Sequence, residues 1–222
     1  MPLDTNRIQA ICFDIDGTLR NTDDHYVERV QRLFPLLSSE RKARLARWLV
    51  MRLEGPVNGF LHFADRLGLD PFVHRLFELT SPPASMQANP HLIPGADAAV
   101  AALAKHFPLA VVSTRRGSST RAFLEAAGIA QHFSAVATAL TTPRGKPRPD
   151  PILWAAKQMG IAPENCLMVG DTVMDMRAGR AAGAQNLAVL SGFGEKEELI
   201  KAGADLMLDS VAGMQALFPQ VS

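Results

Sequence analysis

Six short apolar runs constrain the fold of this 222-residue chain more than any other feature of its sequence. None shows the regular alternation of apolar and polar residues that marks a strand with one face in water. Strands without that alternation are typically covered on both faces, as in a parallel sheet flanked by helices. The predicted strands lie at residues 8–14, 108–113, 134–138, 166–170, 186–190 and 206–208.

Helical patterns fill the spaces between these runs from residue 95 onward. Four helices are predicted there, at residues 95–105, 118–127, 149–159 and 172–182. The last three are each followed by a glycine, a residue that commonly ends a helix, namely Gly128, Gly160 and Gly183. The alternation of strands and helices is typical of a doubly wound, Rossmann-like α/β fold with a parallel sheet.

One stretch, residues 20–88, interrupts the alternation. It contains no convincing strand, and its apolar spacing predicts helices at residues 25–34, 39–52, 57–67 and 71–79. Several prolines then form a linker-like segment that ends near residue 94. We therefore expect an α/β core made of residues 1–19 and 89–222, with an inserted all-helical unit at residues 20–88.

Composition limits the partners that we expect. Lys plus Arg total 23 and Asp plus Glu total 22, so the charge balance gives no reason to expect a nucleic-acid binder. The longest apolar run, residues 98–104, is far shorter than the ~20 residues of a membrane span, and the N-terminus lacks a secretory signal. Cys12 and Cys166 each lie in an apolar segment and are expected to be reduced core residues. We expect a cytoplasmic protein without membrane or nucleic-acid partners; the sequence indicates no oligomeric state.

Acidic side chains directly follow two of the predicted strands. Asp14 and Asp16 share one face of an extended segment, ~6 to 7 Å apart, and at that distance they repel by ~3 kcal/mol. Such a pair needs a cation, a raised pKa or exposure to water. Asp171 and Asp175 lie four residues apart, on one face of a predicted first helical turn. Local alternatives exist: Asp16 as part of a turn with the following glycine, and Asp171 and Asp175 as a helix cap and a first-turn acid.

Groups of opposite character follow other strands. Ser113, Thr114 and Arg115 come after the second strand, where a hydroxyl and backbone N–H groups suit an anion, although a local turn explains them equally well. Lys146 precedes a predicted helix and is alternatively a solvated loop charge. Because the carboxyl ends of parallel strands meet at one rim, we expect all these side chains to converge. Four carboxylates, a hydroxyl and an ammonium form the inventory for phosphoryl transfer assisted by a hard divalent cation.

With these motifs in this order, the chain resembles the haloacid dehalogenase superfamily. DIDGTL at residues 14–19 is similar to the family motif DxDxT, and GDTVMD at residues 170–175 is similar to GDxxxD. Ser113 after its strand and Lys146 in GKPRPDP are similar to the second and third motifs. The insert at residues 20–88 resembles the helical cap of the first type, which phosphoglycolate phosphatase-like and β-phosphoglucomutase-like members carry.

The resemblance implies a magnesium-dependent phosphatase that hydrolyses a small phosphorylated metabolite through an aspartyl-phosphate. It makes Asp14 the nucleophile and Asp16 the general acid and base. Asp14, Asp171 and the backbone carbonyl of Asp16 would bind Mg²⁺, with Asp175 supporting the metal. Lys146 would offset the negative charge on Asp14 and on the phosphate.

The resemblance also names substrate-binding candidates and leaves alternatives. Ser113, Thr114 and Lys146 would contact phosphate. Independently of the resemblance, Arg115 and Arg20 flank the motifs in the sequence and are further candidates for substrate contacts. Family dehalogenases and phosphonatases lack the second aspartate of the first motif, so its presence here favours phosphate esters. A phosphomutase of the same family is the nearest alternative, and a non-catalytic binding protein on the same fold is a more distant one.

Overall fold

The computed structural model describes residues 2–21 and 91–218 of the chain. The four helices predicted between residues 25 and 79, and with them nearly all of the predicted cap at residues 20–88, lie outside the described residues. The division of the chain into a core and a cap therefore stays a prediction. The described residues contain the elements expected of the α/β core.

Six parallel strands form a single sheet and confirm all six predicted strands. In the sheet they follow the order β3-β2-β1-β4-β5-β6. The strands are β1 (Ala10–Phe13), β2 (Leu109–Val112), β3 (Phe133–Ala137), β4 (Cys166–Gly170), β5 (Gln185–Val189) and β6 (Leu206–Leu208). The order reverses direction between β1 and β4, which is where open α/β sheets bind their ligands.

Five α-helices connect the strands in the described ranges. They are α1 (Ala96–Leu103), α2 (Gly117–Ala126), α3 (Asp150–Met159), α4 (Val173–Ala182) and α5 (Lys196–Ala202). The first four confirm the predicted helices. Helix α5 is not among the predicted helices, because seven residues are too few for a clear helical period. Short 3₁₀ helices lie at Thr5–Arg7, Ala130–His132, Pro163–Asn165 and Val211–Leu217.

Apolar side chains cover both faces of the sheet, as the lack of alternation in the strands predicts. In β1, Ile11 and Phe13 join the apolar cluster on one face, and Ala10 and Cys12 join the cluster on the other. The first cluster includes residues of α1 and α2, and the second includes residues of α3 and α4. Cys12 and Cys166 are both buried and free, which confirms the prediction of reduced core thiols.

Glycines end two helices at the predicted positions. Gly160 follows α3 with φ of 70° and Gly183 follows α4 with φ of 82°, left-handed values that favour glycine. These endings return the chain to β4 and β5. Among the helices of residues 2–21 and 91–218, none has the length and apolar character needed to cross a bilayer.

Candidate active site

Three of the predicted site residues follow three neighbouring strands. Asp14 follows β1, Ser113 follows β2 and Asp171 follows β4, and β1 lies between the other two strands. The N–H of Asp14 donates to the carbonyl of Val169 (2.9 Å), and the N–H of Ser113 donates to that of Ala137 (2.9 Å). The backbone hydrogen bonding of the sheet therefore extends into the site and fixes the backbone positions of Asp14 and Ser113.

Lys146 links two of the carboxylates. Its Nζ donates one hydrogen bond of 2.6 Å to Asp14 Oδ1 and another of 2.6 Å to Asp175 Oδ1. The exposed fractions of the three side chains are 5%, 8% and 0%, so this ionic contact is shielded from water. The ammonium thus joins the loop before α3 to the end of β1 and the start of α4.

Asp175 is held by the first turn of α4. The backbone N–H and the hydroxyl of Thr172 donate to Asp175 Oδ2 at 3.0 and 2.6 Å, and the N–H of Asp175 donates back to Thr172 Oγ1 at 3.3 Å. Thr172 is therefore the helix cap, and the local alternative that made Asp171 the cap is wrong. With Lys146 on its other oxygen, Asp175 has both carboxylate oxygens engaged.

Asp171 is fully buried and is held by groups from two loops. Its Oδ1 accepts a hydrogen bond from the Thr18 hydroxyl (3.2 Å), and its Oδ2 accepts one from the N–H of Phe193 (2.8 Å). Gly17 and Gly192 lie so close that a Cβ on either would overlap the Asp171 carboxylate. Both loops therefore enclose this carboxylate and restrict its orientation.

The three buried carboxylates fit a divalent cation. Asp14, Asp171 and Asp175 each offer an oxygen, and these oxygens lie within 4.8 Å of one another. With all three carboxylates ionised, they and the Lys146 ammonium would carry a net charge of −2, which is costly in a buried position without a cation. A donor set made of oxygen alone suits a hard cation such as Mg²⁺. The family resemblance implies that Asp14 and Asp171 are the ligands and that Asp175 supports the metal, and in the structure Asp175 is hydrogen-bonded to both Lys146 and Thr172.

Burial dominates the electrostatics of the site. It raises the pKa of Asp14 from an ordinary value of 3.8 to about 8; Lys146 opposes the rise, and the charges of Asp175 and Asp16 add to it. Burial would lower the pKa of Lys146, but the charges and hydrogen bonds of Asp14 and Asp175 outweigh it and raise that pKa well above its usual value. The ammonium therefore stays charged.

The raised pKa of Asp14 predicts how stability depends on pH when a chelator keeps the protein free of metal. A carboxyl whose pKa is higher in the folded chain than in the unfolded chain stabilises the fold at low pH, and the contribution is lost as the pH rises through the folded pKa. We expect the free energy of unfolding of the wild type to fall, relative to Asp14→Asn, between about pH 4 and about pH 8. Urea unfolding of both proteins at several pH values checks this. A difference between them that does not change with pH would contradict it.

Asp16 lies outside this buried cluster and pairs with arginines. Its Oδ1 is 3.3 Å from Arg115 Nη1 and 3.8 Å from Arg20 Nη1. The exposed fraction of the Asp16 side chain is 33% and that of each arginine is 20%. Both arginines, which the sequence analysis considered for substrate contacts, thus lie beside the predicted general acid.

The second motif forms a compact turn. Ser113 is buried, and its Oγ accepts a hydrogen bond from the N–H of Arg115 (3.2 Å), the local turn that the sequence analysis considered. Its hydroxyl retains a proton that it can donate to an anion. Thr114 is half-buried in the same turn.

Several residues that position the site have no role in the sequence analysis. Thr18 and Thr172 lie inside recognised motifs, so their presence next to the acidic residues was a usable signal. For the loop that contains Phe193, the only sign of a role in the site was a pair of glycines, Gly192 and Gly194, shortly after the predicted strand at residues 186–190. Ser191 in this loop donates a hydrogen bond to the carbonyl of Gly17 (2.8 Å), which ties the loop to the first motif.

The fold and this acidic site define the class of protein. A family model described as haloacid dehalogenase-like hydrolase matches residues 11–189, which contain the four acidic residues and Lys146. The chain belongs to this family of hydrolases, as its motifs predict.

Individual members of the family are similar to this chain in sequence and in structure. A phosphoglycolate phosphatase of Nitrosococcus oceani is 32% identical over 230 residues, covering 96% of this chain and 98% of that protein. The phosphoglycolate phosphatase of Escherichia coli K12 is 35% identical over 122 residues, 55% of this chain and 47% of that protein. A crystal structure of a Deinococcus radiodurans HAD family hydrolase with bound phosphate and sodium superposes with a TM-score of 0.70 at 26% identity, covering 97% of this chain and 96% of that one.

Proposed function

We propose that this chain is a magnesium-dependent phosphatase that hydrolyses a small phosphorylated metabolite through a phosphoaspartyl intermediate. The observation that carries the proposal is the buried Asp14, hydrogen-bonded by Lys146 beside Asp171 and Asp175. The name of the Nitrosococcus oceani relative and the phosphate bound to the Deinococcus radiodurans hydrolase support the same chemistry.

In the first half of the reaction, an Asp14 oxygen attacks phosphorus and the bond from phosphorus to the alcohol oxygen breaks. Lys146 holds Oδ1 of Asp14, and no residue of the described ranges donates a hydrogen bond to Oδ2, so Oδ2 is the attacking atom. The leaving oxygen takes the bonding electrons and accepts a proton from the Asp16 carboxyl. The products are the free alcohol and a phosphoryl group on Asp14.

In the second half, water replaces the alcohol. Asp16, now a carboxylate, accepts a proton from the water while the water oxygen attacks phosphorus. The bond between phosphorus and the Asp14 oxygen breaks, and inorganic phosphate leaves. Asp14 returns as a carboxylate and Asp16 as an acid, so the cycle closes without another reactant.

Phosphate binding falls to the groups around Asp14. The Ser113 hydroxyl donates a hydrogen bond to a phosphate oxygen, the turn at Thr114 borders the phosphate, and Lys146 offsets the charge on Asp14 and the phosphoryl group. Mg²⁺ bound by Asp14, Asp171 and the Asp16 carbonyl would offset the charge that develops on the phosphoryl oxygens. In the described ranges no backbone N–H donates to that carbonyl.

Phosphate release from a panel of phosphorylated metabolites tests the proposal. The name of the full-length relative makes 2-phosphoglycolate the first member, followed by sugar phosphates and nucleoside monophosphates. We expect release of phosphate from at least one member with Mg²⁺ present and only background release with chelator.

Product analysis distinguishes hydrolysis from transfer. Free phosphate and free alcohol in equal amounts support the phosphatase, whereas an isomer of the substrate without free phosphate would indicate a mutase. Equal release with Mg²⁺ and with chelator would contradict the metal requirement, and no reaction with any member would remove the basis for the proposal.

A further inference from the structure

Two arginines from different strand ends converge on the Asp16 carboxylate. Arg20 lies beyond the end of β1, and Arg115 lies beyond the end of β2. Nη1 of Arg115 is 3.3 Å from Asp16 Oδ1, and Nη1 of Arg20 is 3.8 Å from the same oxygen. Both guanidinium groups therefore engage one oxygen of one carboxylate.

The two arginines also share an aromatic neighbour. Each guanidinium carbon is 5.9 Å from the centre of the Phe123 ring, which is buried in α2. A guanidinium over an aromatic ring is attracted by the ring's electrons. The backbone of Arg20 is fixed as well, because its N–H donates to the Ile15 carbonyl (2.8 Å) and its carbonyl accepts from the Gly17 N–H (2.8 Å).

Stability alone does not explain this arrangement. Ion pairs between partly exposed groups contribute only about 0 to 1 kcal/mol, and two guanidinium groups that approach one carboxylate repel each other. With 33% of its side chain exposed and no strand to hold it, Asp16 would otherwise exchange between rotamers. The contact with Arg115 fixes the position of Oδ1 and so determines where Oδ2 lies.

We propose that Arg115 is a positioning residue for Asp16, with Arg20 as its weaker partner. The inference rests on the proposed function, in which Asp16 gives its proton to the leaving-group oxygen as the bond from that oxygen to phosphorus breaks. Proton transfer requires the carboxyl to be held within about 0.5 Å of its productive position. Arg115 supplies that restraint, and the Phe123 ring attracts its guanidinium.

Substrates whose leaving groups differ in acidity distinguish positioning of Asp16 for proton donation from phosphate binding or a purely structural role. The oxygen of an alkyl phosphate needs a proton as it leaves, whereas that of p-nitrophenyl phosphate leaves as a stable anion. With enzyme in excess over substrate, release of the leaving group reports the first half-reaction alone. The test variants are Arg115→Gln and Arg115→Lys, and Asp16→Asn serves as the reference for loss of the acid. Arg121→Gln is the matched control, because Arg121 is an exposed arginine of α2, the helix that follows Arg115.

We expect Arg115→Gln to slow release of the alkyl leaving group by about 10- to 100-fold, with release of p-nitrophenolate slowed by less than about threefold. Asp16→Asn should show the same pattern with a larger alkyl effect. Arg115→Lys should recover part of the alkyl rate, because its ammonium can still contact the carboxylate. Arg121→Gln should match the wild type on both substrates, and thermal unfolding should show that all variants are folded.

Three results would overturn the proposal. An equal loss on both substrates, with a raised KM, would make Arg115 a phosphate-binding residue. An unchanged alkyl rate would make the contact dispensable, and a faster alkyl rate would mean that the arginine suppresses proton donation. Failure of the proposed function looks different, because the wild type would then release neither leaving group in an Asp14-dependent manner.

Discussion

Asparagine at position 14 is expected to lower phosphate release by about 10⁴-fold or more, the largest effect of any single substitution in the chain. The amide has the shape of the carboxylate but no anionic oxygen that can attack phosphorus. Lys146 keeps its second partner, Asp175, so the substitution leaves the ammonium paired. The loss should therefore fall on the chemical step and not on the fold.

Rapid chemical quenching during turnover of a labelled substrate is the decisive measurement. Wild-type protein should carry acid-stable, hydroxylamine-labile phosphate, the signature of an acyl phosphate, and Asp14→Asn should carry none. Asp97→Asn removes an exposed carboxylate from the first turn of α1 and should behave like the wild type. Turnover by Asp14→Asn within tenfold of the wild type, or undiminished labelling, would refute the assignment of the nucleophile.

Replacing Asp171 with asparagine is expected to weaken Mg²⁺ binding by more than about 100-fold, because loss of a group that only orients a metal ligand already costs about 10- to 100-fold. Binding can be measured without substrate, from the stabilisation that the metal gives to the folded protein. Wild type should gain about 2.7 kcal/mol at a Mg²⁺ concentration about 100 times its Kd. The variant should gain almost nothing at that concentration, and a gain equal to that of the wild type would exclude Asp171 as a ligand.

Gly192→Ala tests the same site without removing a carboxylate. A Cβ at this position overlaps Asp171 Oδ2, so either the carboxylate or the loop must move. We expect weaker Mg²⁺ binding than in the wild type, by about tenfold, because an outer group that orients a ligand is displaced. Gly145→Ala is the matched control, since a Cβ there meets no atom within 4 Å.

Much of the fold is predictable because burial on both faces leaves a simple pattern in the sequence. Each strand reads as an uninterrupted apolar run, and Gly160 and Gly183 end helices through their backbone freedom, a local property. Helix α5 is different: its seven residues are mostly charged, and only Leu199 and Ala202 are buried. Contacts of those two side chains with α4 and β5 define the helix, and such tertiary contacts are not visible in a short segment.

The acidic residues of the site are predictable for a similar reason, since parallel strands bring their carboxyl ends to one edge. That Lys146 reaches both Asp14 and Asp175 depends on the path of a long loop, which no local pattern specifies. The N–H of Phe193 is a backbone donor, so its side chain carries no sign of the role. The arginines that pair with Asp16 also lie beside the buried Phe123 ring, and contacts between separate elements such as these are not visible in a local segment.

The central place of β1 in the sheet has a consequence for how the protein is made. One edge of β1 pairs with β2, beginning at Leu109, and the other pairs with β4, beginning at Cys166. During synthesis β1 therefore stays unpaired until the strands that pair with it, about 100 and about 155 residues later in the chain, have been made. Contacts between segments so distant in sequence form slowly, and an apolar strand that has not yet paired is prone to aggregate. A ribosome that stalls before β4 releases a chain that already contains Asp14 but cannot assemble the surroundings in which that aspartate works.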